Sequence, residues 1–147
     1  MTETRSQSRN TFINCAVMGH EIQSRELIMH VADSMSIGQL SSKDITAHLE
    51  SAKQIGINID QKIIVPLKPI LEVLSDYKCP KIFDFCSIDI EGSEVSVIAD
   101  LLNSDYTIKS FLVETEVDSE TEELLLKSGY SLIGRDNLGG NSLWILK

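Results

Sequence analysis

The sequence has few positive charges and no long apolar run. Its 13 Lys and Arg residues stand against 22 Asp and Glu, which gives a formal net charge of −9. This balance argues against broad binding to a phosphate backbone, because such binding needs clustered basic residues. No apolar stretch reaches the ~18 residues that a membrane-spanning helix requires. We therefore expect neither a nucleic-acid partner nor a membrane span.

Cysteine and histidine are also scarce, with three of each. The cysteines are odd in number and lack metal-site spacing, and the histidines stand at unrelated spacings. We predict no metal site from these residues, and we predict buried, reduced thiols. Residues 1–10 are polar and lack the apolar core of a signal peptide, so a disordered start and a cytoplasmic location are expected.

The rest of the chain, residues 11–147, has the length and composition of one globular domain: 42% of all residues are hydrophobic and 24% are charged. The apolar patterns predict strands at residues 11–17, 25–31 and 62–65, and a loop at 33–40. Ser41 and Asp44 predict the start of a helix that ends at Gly56.

The segment 81–98 is the centre of the pattern. A nearly continuous apolar run over 82–88 follows Pro80 and predicts a strand buried on both faces of a parallel sheet. Gly92 permits a sharp turn, and an apolar stripe at helical spacing follows, formed by Val95, Ile98, Ala99 and Leu102. Asp89 and Glu91 therefore lie at the carboxyl end of the strand, where open α/β sheets bind ligands.

Helices and strands alternate on both sides of this central segment. Pro69 fits the first turn of a short helix before the central strand, and residues 108–114 form another buried strand. Ser119 and Glu122 predict a capped helix that Gly129 ends. Residues 131–134 and 142–146 flank a turn rich in Asn and Gly, which indicates a closing hairpin.

Several motifs occur in one order along residues 12–147. They are Ile64-Val65-Pro66-Leu67 with the Leu-rich segment after it, Ser87-Ile88-Asp89-x-Glu91-Gly92-x-Glu94, Val113-Glu114, Gly129-Tyr130 and the closing hairpin. This ordered set resembles the FkbM family of S-adenosylmethionine-dependent methyltransferases. The resemblance implies an α/β, Rossmann-like class I methyltransferase fold, present in part, with C-terminal strands and helices and a closing antiparallel hairpin.

The resemblance also implies a missing segment. Such enzymes hold the methyl donor mainly with a Gly-rich loop after the first strand, and none of the eight glycines forms a Gly-x-Gly loop after a strand. The domain at 11–147 is therefore expected to be incomplete on its N-terminal side. Without that segment, the strand at 82–88 loses one of its two neighbouring strands. We then expect one of three outcomes: another chain covers the open edge, the strand at 11–17 forms a new pairing, or the fragment is poorly stable.

Asp89, Glu91 and Glu114 are the candidate catalytic residues. By resemblance, Asp89 and Glu91 face the acceptor, where a carboxylate accepts a proton from a hydroxyl or orients it. Alternatively, they only favour the N-terminus of the following helix. Glu114 ends the next strand and should lie beside Asp89, unless it belongs to a solvated acidic loop. Glu94 is expected to be an exposed residue of the first helical turn.

Cys15 and Ala16 are the candidate cofactor residues. By resemblance they end the family's third strand, which borders the adenine of S-adenosylmethionine, although both also suit a plain core. The implied reaction is O-methylation of a small-molecule or sugar acceptor. Two alternatives stay open: a non-catalytic interaction module that binds a complementing chain, or a second copy, through an exposed edge strand, and a metal bound by the acidic strand ends.

Overall fold

The computed structural model describes residues 10–20, 22–32, 35–39, 61–90, 93–115, 119–136 and 140–147. Within these residues the strands are β1 Ala16–Met18, β2 Glu26–Ala32, β3 Met35–Gln39, β4 Gln61–Pro69, β5 Ile82–Phe83, β6 Cys86–Ile88, β7 Thr107–Ile108, β8 Ser110–Glu114, β9 Tyr130–Arg135 and β10 Asn141–Leu146. The helices are α1 Ile70–Asp76, α2 Glu94–Leu102 and α3 Glu120–Lys127. None of these helices is long and apolar enough to cross a membrane.

A first sheet has the strand order β1-β4-β2-β3. β1 runs parallel to β4, while β2 is antiparallel to both β3 and β4. The prediction of a loop at 33–40 is wrong, because Met35–Gln39 pairs with β2 at five successive positions. Backbone pairing with β2 outweighs the low strand propensity of the Ser and Gly in this segment.

The strand predicted at 11–17 is also wrong over most of its length. Its ladder with β4 begins only where Ala16 faces Leu67, and Phe12 is 61% exposed. The strand predicted at 62–65 is instead longer and continues through Pro66 to Pro69. Pro66 lies opposite Glu26, the first residue of β2, so its missing N–H falls where that ladder ends. The helix predicted from Ser41 to Gly56 lies outside the described residues.

A second sheet has the order β6-β8-β10-β9. β6 is parallel to β8, and β10 is antiparallel to both of its neighbours, so the predicted closing hairpin is confirmed. The parallel pair of β5 and β7 precedes this sheet and keeps the same register as β6 and β8. The predicted strand at 82–88 is therefore present but interrupted at Asp84 and Phe85, where Ser110 Oγ donates a 2.6 Å hydrogen bond to the Asp84 carbonyl. The prediction that it is buried on both faces is wrong, because Ile82 is 59% and Phe85 54% exposed and no described strand covers their side.

Alternate residues of β8 and β10 form the core. Phe111 and Val113 are 0% exposed, and Trp144 faces Phe111 in the antiparallel ladder. All three described helices add side chains to this cluster, and its fully buried helical members are Val97, Ile98, Leu101 and Leu125. The apolar stripe predicted on α2 is correct at Ile98. Its other predicted members are only half-buried, and the buried face of the helix also includes Val97 and Leu101.

Both predicted ends of α3 are confirmed. The Ser119 side chain accepts a 3.4 Å hydrogen bond from the Glu122 N–H, as an N-terminal cap does. Gly129 follows the helix with φ of +89°, a conformation that residues with a Cβ rarely adopt. Tyr130 then begins β9, and its hydroxyl donates a 2.5 Å hydrogen bond to the carbonyl of Ile108.

A buried hydrogen-bond network joins the last strand to β8. Ser142 Oγ donates to the carbonyl of Val113 at 3.1 Å, and Trp144 Nε1 donates to Ser142 Oγ at 2.8 Å. Thr115 Oγ1 lies 2.7 Å from the same oxygen. One hydroxyl therefore satisfies three buried polar groups at the centre of the sheet.

We expect Ser142→Ala to lower the free energy of unfolding by about 1–3 kcal/mol, because it leaves buried groups without a hydrogen-bond partner. Chemical denaturation followed by Trp fluorescence measures the loss. Ser87→Ala is the matched control, since Ser87 is exposed on the adjacent part of the sheet. Equal stabilities for the two variants would show that the network adds nothing to folding.

Candidate active site at the carboxyl edge of the second sheet

Asp89 and Glu114 lie at the same edge of the second sheet. Ile88 is in register with Val113 in the parallel pair of β6 and β8, and the two acidic residues come next in their strands. Both are exposed. The predicted juxtaposition of Asp89 and Glu114 is therefore confirmed for the backbone. Glu91, the third acidic residue predicted for this site, lies outside the described residues.

Glu94 shapes the turn between β6 and α2. The prediction that it is exposed is wrong: it is 9% exposed, and its Oε1 accepts a 3.1 Å hydrogen bond from the Ile90 N–H. A carboxylate in the first turn of a helix also interacts favourably with the positive end of the helix dipole. Glu94 therefore ties the start of α2 to the residue that follows Asp89.

A third strand reaches the same edge, which the sequence did not predict. Asn141, the first residue of β10, is in register with Glu114, and the Thr115 N–H donates a 2.9 Å hydrogen bond to the Gly140 carbonyl. The Asn- and Gly-rich turn predicts a hairpin, but nothing in it indicates that β10 inserts beside β8. Asn141 thus adds an amide to the edge, where its Nδ2 donates to Asp136 at 3.0 Å.

Arg135 fixes the backbone just beyond Glu114. Its guanidinium donates a 3.2 Å hydrogen bond to the Thr115 carbonyl and forms an ion pair with Glu122 on α3. Both side chains of this pair are mostly buried. The peptide groups on either side of Thr115 are therefore bonded to the β9–β10 hairpin, which gives Glu114 a defined position.

Cys15 and Ala16 are not brought to this edge by strand pairing. Ala16 begins β1, which pairs with β4 in the first sheet and not with β6. Both residues are half-buried. Pairing of the strand at 11–17 therefore does not cover the open edge of β6. Among the described residues, the end of β1 contacts α2, the helix that follows the acidic edge.

The residues that the structure describes contain no group of three or more His, Cys, Asp or Glu placed to hold a metal ion. The metal-binding alternative thus finds no ligand set in this part of the chain. Asp89 and Glu114 are both exposed at this edge, and carboxylate oxygens can accept hydrogen bonds from hydroxyl groups. A carboxylate in such a position can orient the hydroxyl and take its proton.

All three cysteines are free thiols, but the prediction that they are buried is wrong, because each is only half-buried. Burial raises the pKa of the Cys86 thiol from 9.0 to about 11. Since the thiolate is the reactive form, but a thiolate of higher pKa is also more nucleophilic, we expect Cys86 to react with a disulfide reagent at neutral pH about tenfold more slowly than an ordinary thiol. Mass spectrometry of partly labelled protein would resolve the three rates. Labelling of Cys86 as fast as Cys15 and Cys79 would contradict this assignment.

Comparisons with known proteins bear on the chemistry of this edge. Residues 3–131 match the family model described as the methyltransferase FkbM domain. Curated proteins and solved structures gave no match to the chain. The matched range includes β6, β8, the acidic edge between them and both helices that follow these strands. The chain therefore belongs to the FkbM methyltransferase domain family.

Proposed function

We propose that this chain is an S-adenosylmethionine-dependent methyltransferase that methylates a hydroxyl of a small molecule or a sugar. The observation that carries the proposal is the pair of exposed carboxylates, Asp89 and Glu114, at the carboxyl edge of parallel strands in an FkbM domain. In open α/β sheets this edge is the usual place for ligands. Net acidity and free cysteines agree with a cytoplasmic enzyme acting on an acceptor other than nucleic acid.

The strand order supports a Rossmann-like class I fold for this part of the domain. Two parallel strands are joined by a helical crossover through α2, and β10 enters antiparallel between β8 and β9. A parallel pair with a crossover helix is the repeating unit of such sheets. The closing antiparallel hairpin is the feature that the resemblance to this class predicts.

In this proposal Asp89 faces the acceptor, with Glu91 and Glu114 assisting. S-adenosylmethionine supplies a methyl group on a positively charged sulfonium, and exposed carboxylates at the edge suit a cationic group electrostatically. With the donor bound, Asp89 would orient the acceptor hydroxyl and take its proton, while the S–CH₃ bond of the sulfonium breaks, the methyl group joins the hydroxyl oxygen and S-adenosylhomocysteine leaves. Cys15 and Ala16 border the adenine in this proposal.

Calorimetric titration with S-adenosylhomocysteine, the product form of the donor, tests this proposal. A dissociation constant near the micromolar level, or roughly −8 kcal/mol, would mean that the strands present form a donor pocket without the missing Gly-rich segment. Ala16→Met should weaken binding if β1 borders the adenine, while Ala99→Met, at a half-buried alanine on α2, should leave it unchanged. Absence of heat up to millimolar ligand would overturn donor binding by this chain alone.

A second candidate function is protein binding through the open side of β6. Within the described residues β6 pairs only with β8, and β5, which precedes it, pairs only with β7. Ile82 and Phe85 beside this edge are both more than half exposed. A complementing chain, or a second copy, could add a strand here. Concentration-dependent association in sedimentation, without any binding of S-adenosylhomocysteine, would favour this function over catalysis.

A further inference from the structure

The carboxyl end of β1 rests directly on helix α2. A Cβ atom placed on Gly19 would lie 2.8 Å from both the Cβ and the carbonyl oxygen of Ser96. The Gly19 N–H also donates a 3.3 Å hydrogen bond to Ser96 Oγ. Because glycine has no side chain to clash there, the two backbones meet at this point.

His20, the next residue, reaches a buried carboxylate on the same helix. Its Nδ1 is hydrogen-bonded to Asp100 Oδ1. The Asp100 side chain is 6% exposed, whereas that of His20 is 73% exposed. The second carboxylate oxygen, Asp100 Oδ2, is buried without a hydrogen-bond partner among the described residues. A carboxylate in this position is costly unless a positive charge compensates it.

Other charged side chains on the elements around α2 have partners elsewhere. β1 and β7 carry no charged residue, and Glu120 on α3 is exposed. The remaining contacts are Glu94 with the Ile90 N–H, Glu72 with Arg25, Asp76 with Lys68, Glu122 with Arg135, and Glu123 with Lys127. When protonated, His20 is therefore the cationic group that these contacts bring to Asp100.

We propose that the His20–Asp100 pair is a pH-sensitive contact that holds β1 against α2. A protonated imidazole gives Asp100 a charge-assisted hydrogen bond, which is roughly twice as strong as a neutral one. An ordinary imidazole loses its proton near pH 6.5. The contact is therefore strongest in mildly acidic solution and weakens as the pH rises and the imidazole becomes neutral.

The contact also has a consequence for the donor, which rests on the proposed function. β1 begins at Ala16, beside the residues proposed to border the adenine, and α2 begins just after the acidic turn. Loosening of the His20–Asp100 pair would let these two regions move apart. Affinity for S-adenosylhomocysteine should then fall between about pH 6 and pH 8.

Amide hydrogen exchange of residues 17–19, measured by NMR in the full chain, tests the contact without any ligand. After correction for intrinsic rates, we expect protection relative to the Phe111 amide to fall about fivefold between roughly pH 6 and pH 8. His20→Gln should abolish this pH dependence, and so should Asp100→Asn. Ser96→Ala should lower the protection at every pH and leave the pH dependence intact.

His20→Gln is the decisive variant, because His20 is exposed and the substitution should not disturb folding. Unchanged pH dependence in His20→Gln, or none in the wild-type chain, would overturn the proposal. The exchange result stands even if S-adenosylhomocysteine does not bind. Failure of the pH-sensitive contact and failure of the proposed function are therefore distinguishable.

Discussion

Replacing Asp89 by asparagine should lower the rate of methyl transfer by about 10²- to 10⁴-fold, the range that one general acid–base group contributes. Asparagine keeps the size of the side chain but cannot take the acceptor proton. Binding of S-adenosylhomocysteine should stay unchanged, because Asp89 is proposed to face the acceptor. Glu114→Gln should cause a smaller loss, of about tenfold, since an assisting residue orients the hydroxyl without taking its proton.

The assay follows release of S-adenosylhomocysteine over a panel of sugar and small-molecule hydroxyl acceptors. Asp105→Asn is the control, because Asp105 is an exposed carboxylate just before β7, at the opposite end of the parallel strands. Full activity of Asp89→Asn would remove Asp89 from catalysis. If Asp89→Asn lowers the free energy of unfolding by about 0.3–1 kcal/mol without lowering activity, the role of Asp89 is to stabilise the N-terminus of α2 instead.

Phe111→Ala should be the most destabilising substitution that we describe. Phe111 is 0% exposed, faces Cys86 and Trp144 on its two neighbouring strands, and packs against Tyr130 with ring centroids 5.3 Å apart. Removing a fully buried aromatic side chain costs about 3–5 kcal/mol, because it loses transfer free energy and leaves a cavity. For a domain of this size we expect the melting temperature to fall by roughly 10 °C or more.

Phe85→Ala is the matched control, because Phe85 is 54% exposed where the central strand is interrupted. It should change the unfolding free energy by less than about 1 kcal/mol. Denaturant unfolding of both variants by circular dichroism gives the comparison. Similar losses for Phe111→Ala and Phe85→Ala would mean that the second sheet does not form the core of the protein.

Local signals in the sequence predicted the centre of this fold well. The apolar run at 82–88, the helix after it and the capped helix from Ser119 all depend on neighbouring residues, and the structure contains each of them. Parallel register then follows from topology, which is why the placement of Glu114 beside Asp89 was predictable. These features need no knowledge of distant partners.

Features that depend on distant partners were predicted poorly. Met35–Gln39 is a strand because it pairs with β2. The residues before Ala16 lie outside the sheet because pairing with β4 begins only at Ala16. Burial of Glu94 depends on a bond to the Ile90 N–H across the turn. The positions of Asn141 and Arg135 at the site were not predicted, because a hairpin pattern does not show which other strand the hairpin pairs with.

The position of β10 has a consequence for the order in which the protein folds. β10 follows every other described strand in sequence, yet it lies between β8 and β9 and bonds to both. During synthesis the second sheet therefore stays divided until Asn141–Leu146 has left the ribosome. Until then β8 and β9 lack the strand that joins them, and their apolar faces stay open to aggregation and to chaperones.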